Sequence, residues 1–244
     1  MRIRLTIEYD GTRFHGWQLQ PVGPTVQGEL ERALGVVLRC PVRVVAAGRT
    51  DAGVHACGQV AAFDVPGPVD LSTLARSLTA VTAPAIAVIA AEVVPDDFDP
   101  RRHARRRSYA YRIVNRAAPS PLWEGRAWHV RRPLQVAAMN AAAALLVGVH
   151  DFSAFRDAQC DAATAIRRVF RSEVRRAGDL ITYDIEATAF LRHMVRSIVG
   201  TLVPVGAGVL TVERFGAILE TRDRRAAGRT APAHGLYLVG VSYE

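Results

Sequence analysis

Residues 42–65 read VRVVAAGRTDAGVHACGQVAAFDV, two apolar runs parted by a polar loop. Val42–Ala47 and Gln59–Val65 read as strands, and AGRTDAGVH at Ala47–His55 interrupts them. On the N-terminal side, Thr25 is a suitable N-cap for a helix in which Val26, Leu30, Leu34 and Val37 recur at helical spacing. Arg2–Tyr9 alternates as a strand and closes at the turn pair Asp10-Gly11. On the C-terminal side, Asp70–Thr79 is expected as a second helix, with Leu71, Leu74 and Leu78 on one face, and Ile86–Val93 as a further strand. The order strand, helix, strand, strand, helix, strand is that of a ferredoxin-like or RRM-like unit.

Past Val94 the composition shifts to PDDFDPRRHARRR, two prolines in a dense charge run, which places a boundary between residues 1–100 and 101–244. A second cycle follows: a strand at Ser108–Val114, a helix over Pro133–Val147 ending at Gly148, strands at Phe170–Val174 and Leu180–Ala187, a helix from His193 to Val203, and a last strand at Gly235–Tyr243. The expected fold class is α+β. Two RRM-like halves are predicted, their antiparallel sheets able to join into one extended sheet with helices on one side.

The 244 residues carry a formal charge of +8, from 31 basic and 23 acidic side chains, and every basic residue is arginine. Guanidinium groups grip phosphate bidentately and stack on bases, so a polyanion is the first partner to consider. Half the residues are hydrophobic, which excludes a disordered chain. Cys40, Cys57 and Cys160 form no C-x-x-C pair, which fits a reducing cytoplasm better than a disulfide framework or a thiolate zinc site. Strand-like alternation from Met1 leaves no room for a signal peptide, and the most apolar stretch, Ala80–Val94, is shorter than the roughly 18 residues of a membrane span.

Three constellations could carry chemistry. In AGRTDAGVH, Gly48 and Gly53 would allow positive φ or close approach to a ligand, and Asp51 and Arg49 sit between them. A surface loop with a turn aspartate is the commoner use of such a segment, but a loop held by strands on both sides also suits a reactive group. In FDPRRHARRRSYAY (Phe98–Tyr111), Arg101, Arg105, Arg106 and Arg107 precede Tyr109 and Tyr111, which share one strand face. That is the combination that stacks a base beside bound phosphate, or equally a solvated basic edge with core tyrosines. In RHMVRSIV (Arg192–Val199), Arg196 lies in an apolar helix; such a side chain snorkels to water or meets a carboxylate. If that carboxylate is Asp51, the attraction favours its ionised form, able to act as nucleophile or base. The seven histidines form no metal-ligand spacing, and neither G-x-G-x-x-G nor a P-loop occurs, so no metal and no cofactor is expected. Cys160 has no identifiable activating base and reads as structural.

With these residues in place, the chain resembles the bacterial tRNA pseudouridine synthase A family nearly end to end. The resemblance is carried by YDGTRFHGWQ (Tyr9–Gln18), AGRTDAGVHACGQV (Ala47–Val60), Tyr109-Ala110-Tyr111 followed by Asn115, DFSAFR (Asp151–Arg156), FLRHMVRSIVG (Phe190–Gly200) and GLYLVGV (Gly235–Val241). It implies the pseudouridine synthase fold, with Asp51 as the catalytic aspartate and Tyr109 stacked on the target uracil. It also implies that Arg196 pairs with Asp51, that Arg49 helps displace the target base, and that Leu236 lines the uracil pocket. Trp17, Gln18 and His55 match motif positions and are read as supporting structure. The implied substrate is the tRNA anticodon stem-loop at positions 38 to 40, and the implied assembly is a homodimer.

Isomerisation of uridine to pseudouridine gains no atom or electron overall, so it needs no cofactor. It needs a carboxylate at the sugar or base, a pocket that retains the freed uracil, and a group that takes the carbon 5 proton. Two other readings stand beside it: a non-catalytic RNA-binding module, and an RNA-cleaving enzyme using Asp51 with a histidine.

Overall fold

The computed structural model describes residues 1–82 and 84–244, which fall into two compact units, Met1–Arg105 with Tyr237–Glu244, and Arg106–Leu236. The first unit begins with β1 (Arg2–Tyr9), whose alternation buries Ile3, Leu5, Ile7 and Tyr9. Helix α1 (Val26–Leu38) starts where its cap predicts: Thr25 Oγ1 accepts the Gly28 N–H at 3.1 Å, and Val26, Leu30, Ala33 and Leu34 form the buried face. Asp70 caps α2 (Leu71–Val81) in the same way, accepting from the Ser72 and Thr73 N–H groups, and the Thr73 and Ser72 hydroxyls, which also donate to it, do most to hold its carboxyl down at about 2.

Around β1 the strands are β2 (Val45–Ala46), β3 (His55–Asp64) and β4 (Ile86–Val94). Strand β1 runs antiparallel between β4 and β3, and β2 adds to β3 through Val45 opposite Ala62 and Ala46 opposite Ala61. This is the sheet order of a ferredoxin-like unit. The other end of β3 is paired by a strand from the far end of the sequence, β10 (Leu236–Ser242). Tyr237 lies parallel to His55 and Leu238 to Ala56. There a Cβ on Gly58 would stand 2.5 Å from the Val239 carbonyl oxygen, so only glycine fits.

Two expectations for this unit are corrected. The strand over Val42–Ala47 shrinks to Val45–Ala46, because the backbone at Val44 is taken by α1: its N–H donates to Glu31 and its carbonyl accepts from Gln27. The following strand starts at His55 rather than Gln59, since β10 and β1 supply ladder partners that the local sequence does not reveal.

In the second unit, β5 (Arg106–Asn115), β9 (Leu180–Ala187), β8 (Ile166–Ala177) and β7 (Gly148–Asp151) lie in that order, all antiparallel, and β6 (Trp128–Val130) joins β5 in parallel. Each unit's sheet is therefore antiparallel but for one short parallel pair. The core holds Tyr111, Ile113, Ile181, Tyr183 and Ile185 from the strands, with buried residues of α3 (Val136–Ala144), α4 (Met194–Gly206) and α5 (Val212–Thr221).

Helix α3 is shorter than the predicted span of Pro133–Val147. Asn115 donates to the Val130 and Arg132 carbonyls and accepts the Leu134 N–H, and Gln135 N–H goes to Gly206, so the groups that would start an earlier helix are engaged elsewhere. At the other end, the N–H groups of Leu145, Leu146 and Val147 reach back only three residues, a tightened exit before Gly148 at φ +119°. Helix α5 was not anticipated.

Candidate active site

The segment Ala47–His55 is an irregular loop that ends in β3, and its neighbours fix it more firmly than its flanking strands do. Val54 N–H donates to the Asp51 carbonyl at 3.1 Å, closing a turn around Asp51, and Gly53 supplies the positive φ of +75°. Gly48 does not take the positive φ that was one of its two expected uses: it lies outside the left-handed region, and a Cβ there would meet no protein atom within 4 Å.

The clamp on this loop is residues 9–17. Gly53 N–H donates to Phe14, and Trp17 N–H to the Thr50 carbonyl at 3.0 Å. Gly11 and Gly16 let that clamp close: Cβ atoms there would stand 2.0 Å from the Val54 oxygen and 2.7 Å from the Thr50 oxygen. From β1, the Tyr9 hydroxyl lies 2.7 Å from Thr50 Oγ1. From β3, the fully buried Gln59 donates to the Gly48 carbonyl at 2.8 Å. Burial pushes the Tyr9 phenol up to about 12, so it remains a neutral hydrogen-bonding group across the working pH range. Asp51 emerges half-buried from this frame, and Arg49 is exposed.

His55 is structural, as its motif position suggested. It is buried and stacked on Tyr237 at 4.7 Å, and Gly11 N–H donates to its Nδ1 at 3.1 Å. That bond uses the lone pair of Nδ1 and assigns the ring proton to Nε2. Asp10 Oδ1 lies 3.2 Å from the same nitrogen.

In the second unit, Tyr109 is half-buried on β5 opposite Ile185, in T-shaped contact with Phe190 at 5.0 Å between ring centres. Tyr111, two residues on, is fully buried and donates its hydroxyl proton to the Pro232 carbonyl at 2.7 Å. Burial raises its phenol, and the charge of Arg196 partly opposes this. Arg196 itself is half-buried in the first turn of α4, and its Nε donates to the Ala231 carbonyl at 2.8 Å. Leu236 is buried; beside it, a Cβ on Gly235 would stand 2.6 Å from the Tyr111 ring. Arg196, Tyr111 and Leu236 are thus organised around one short segment, residues 231–236. Among the described residues no cluster of histidine, cysteine and carboxylate side chains has the makings of a metal site, and no helix is long and apolar enough to cross a membrane.

Comparison with known proteins places the chain in a family. The family profile described as tRNA pseudouridine synthase matches residues 5–101 and 142–244. A tRNA pseudouridine synthase A of Myxococcus xanthus is 47% identical over 243 residues, 99% of this chain and 92% of its own. Proteins of the same name from Dechloromonas aromatica and Beijerinckia indica are 47% and 50% identical, over 93% and 94% of their own lengths. The chain belongs to the tRNA pseudouridine synthase family. The pseudouridine synthase fold and the activity class, an isomerase acting on tRNA, follow from that membership.

In this family member the basic run is shared between the two units. Arg101 and Arg105 are exposed in the first unit, while in the second Arg106 and Arg107 point to opposite faces of β5. Arg106 pairs with Glu186 at 2.9 Å and lies 4.4 Å from the Phe170 ring centre, and Arg107 donates to the Thr188 carbonyl. A cavity of about 330 Å³ lined by Val114, Arg116, Trp123 and Asp179 sits at the other end of β5 from Tyr109 and includes none of the candidate residues.

Sequence reasoning missed the residues that hold the Asp51 loop: Tyr9, Phe14, Gln59 and the two glycines at 11 and 16. The signal was present in YDGTRFHGWQ, where two glycines flank an aromatic between a strand and a helix, a spacing with no use in a plain connection. Phe190 and residues 228–232 were missed for a different reason, since nothing in their local pattern marks a contact to Tyr109 or Arg196.

Proposed function

We propose that this protein converts uridine to pseudouridine in the anticodon stem-loop of tRNA, at positions 38 to 40, with Asp51 as the reacting carboxylate. The observation that carries the reading is the Asp51 loop itself: an acidic side chain on a turn whose backbone is bonded to residues 9–17 and to Gln59. A turn held this way restricts where its carboxylate can lie, which suits a group that must meet the sugar or the base in a set orientation.

The bond from ribose carbon 1 to uracil nitrogen 1 breaks, the base turns, and uracil carbon 5 bonds to the ribose. The proton on carbon 5 leaves and nitrogen 1 gains one, so the product is an isomer of the substrate. Arg196 is the cationic partner that favours the charged carboxylate, Tyr109 stacks on the uracil while it turns, and Leu236 closes the apolar side of its pocket. Arg49 fills the space vacated by the extruded base, which offsets part of the few kcal/mol of unstacking. Arg101, Arg105, Arg106 and Arg107 meet phosphates. On this reading residues 1–100 bring the reacting loop and residues 101–244 the stacking and pairing side chains. The enzyme works as a homodimer in the cytoplasm, where its tRNA substrate is found.

The test is release of tritium from tRNA labelled at uracil carbon 5. The wild-type protein is expected to release label with the RNA intact, and Asp51→Ala to release none while binding tRNA within a few-fold of wild type. A normal rate in that variant rejects the assignment; shortened RNA would indicate cleavage instead. Moving single uridines along the anticodon stem tests the position assignment.

A further inference from the structure

Residues 227–232 have no regular secondary structure, yet every residue from Gly228 to Pro232 is anchored within the second unit. Gly228 N–H donates to Thr201 Oγ1 at 2.9 Å, and its carbonyl accepts from Arg224 Nη1 at 3.1 Å. The Arg229 guanidinium lies 5.6 Å from the Trp128 ring centre, and Thr230 Oγ1 accepts from Arg224 Nη2 at 3.2 Å. Ala231 N–H donates to the Arg196 carbonyl at 3.0 Å, while the Ala231 carbonyl accepts from Arg196 Nε. Pro232 takes the Tyr111 hydroxyl proton.

The segment reaches α4 because both chains lack side chains where they cross. A Cβ on Gly200 would stand 1.7 Å from the Arg229 oxygen, and one on Gly228 would stand 2.3 Å from the Gly200 oxygen. Gly200 is also the residue whose carbonyl receives no helical hydrogen bond from position 204, because Pro204 has no N–H. The helix therefore leaves an acceptor uncovered one turn after Arg196, and the segment lies against it. With Nε committed to Ala231, the direction in which the Arg196 fork points is set by where this segment sits.

We propose that residues 228–232 are a strap that aims the Arg196 guanidinium, and that Arg224 and Thr201, which hold the strap away from Arg196, are positioning residues for the isomerisation. The inference rests on Arg196 being the partner of the reacting carboxylate, as proposed above. Releasing the strap leaves the arginine present but misdirected. Misplacement of a catalytic group by about 1 Å lowers the chemical rate by as much as about a hundredfold while substrate binding is retained.

The experiment is steady-state tritium release by the full-length protein, with kcat and KM resolved and melting temperature followed alongside. Arg224→Ala is expected to lower kcat by about tenfold or more with KM and its salt dependence unchanged, and Arg224→Lys to recover part of the rate. Thr201→Val is expected to act in the same direction. In an Arg196→Ala background, Arg224→Ala should add less than about twofold, because both changes remove one interaction. The strap is rejected if Arg196→Ala is inactive but Arg224→Ala and Thr201→Val both turn over at the wild-type kcat. It is equally rejected if Arg224→Ala raises KM and flattens the salt dependence, the behaviour of a phosphate contact, or if the two losses multiply in the double variant. Full activity in Arg196→Ala alone would instead remove the assignment of Arg196, and the strap's role with it.

Discussion

The Tyr9 hydroxyl stands 2.7 Å from Thr50 Oγ1, so the end of the first strand is bonded to the residue immediately before Asp51. Both groups are buried, and removing one partner leaves the other without its bond. Tyr9→Phe is therefore expected to lower unfolding stability by about 1–3 kcal/mol and to slow tritium release, with tRNA affinity kept. Denaturant melts and single-turnover assays of the same preparation read both. Unchanged values in both would mean that Thr50 finds another partner.

Alkaline unfolding follows from the same tyrosine. Its phenol sits at about 12 in the folded protein against an ordinary 10.0, because burial disfavours the phenolate. The contribution is fully present below about pH 10. Between about 10 and 12 the unfolded chain loses this proton while the folded one keeps it, so stability falls as pH rises through that window. Burial raises Tyr111 and Tyr183 in the same direction. The denaturation midpoint is expected to be flat near pH 9 and to fall steeply above 10, with a shallower fall in Tyr9→Phe.

The loop glycines should separate into two classes. Gly53→Ala places a side chain in the left-handed region at a strain of about 1–2 kcal/mol, and Gly11→Ala drives a Cβ into the Val54 carbonyl. Gly48→Ala meets open space and is expected to stay within about 0.5 kcal/mol of wild type with full activity. Equal losses at all three positions would show that the clamp is not what fixes the loop.

Stacking and its support can be told apart at Tyr109. Tyr109→Phe keeps the ring and is expected to bind the target base normally, whereas Tyr109→Leu should lose about 1–3 kcal/mol of stacking. Phe190→Ala removes the edge contact at 5.0 Å, a smaller loss of about 0.5–1.5 kcal/mol. Activity assays ranking Phe190→Ala below Tyr109→Leu would reverse this order.

Exposed arginines that meet phosphate should reveal themselves through salt. Replacing Arg101 or Arg105 with alanine is expected to make the dependence of log K on log salt shallower by about 0.7–0.9 for each phosphate no longer neutralised. Arg107, whose guanidinium already donates to Thr188, should change the slope less. A slope equal to that of wild type in all three variants would place the RNA elsewhere.

Much of this arrangement could be read from residue patterns because local physics set it. Arg2–Tyr9 alternates and is a strand at those residues; Thr25 and Asp70 begin helices because their side chains reach the first free N–H groups. Errors arose where distant groups claimed the backbone. Val44 is held by two side chains of α1, and residues 130–135 by Asn115 and Gly206, so a strand and a helix came out shorter than their composition implied. The loop around Asp51 was legible as a motif. Its rigidity was expected from the flanking strands, whereas the bonds that hold it come from Tyr9, Gln59 and residues 11–17 meeting it in space.

The pairing of Tyr237 and Leu238 with His55 and Ala56 bears on the order in which the protein matures. During synthesis residues 1–105 leave the ribosome long before residues 237–244, which complete their sheet and supply the ring stacked on His55. Until then the nascent chain carries an unfilled edge beside the Asp51 turn, open to mispairing with other polypeptides. That edge is covered in a single late event, after translation has passed Tyr237, and not strand by strand as the chain emerges.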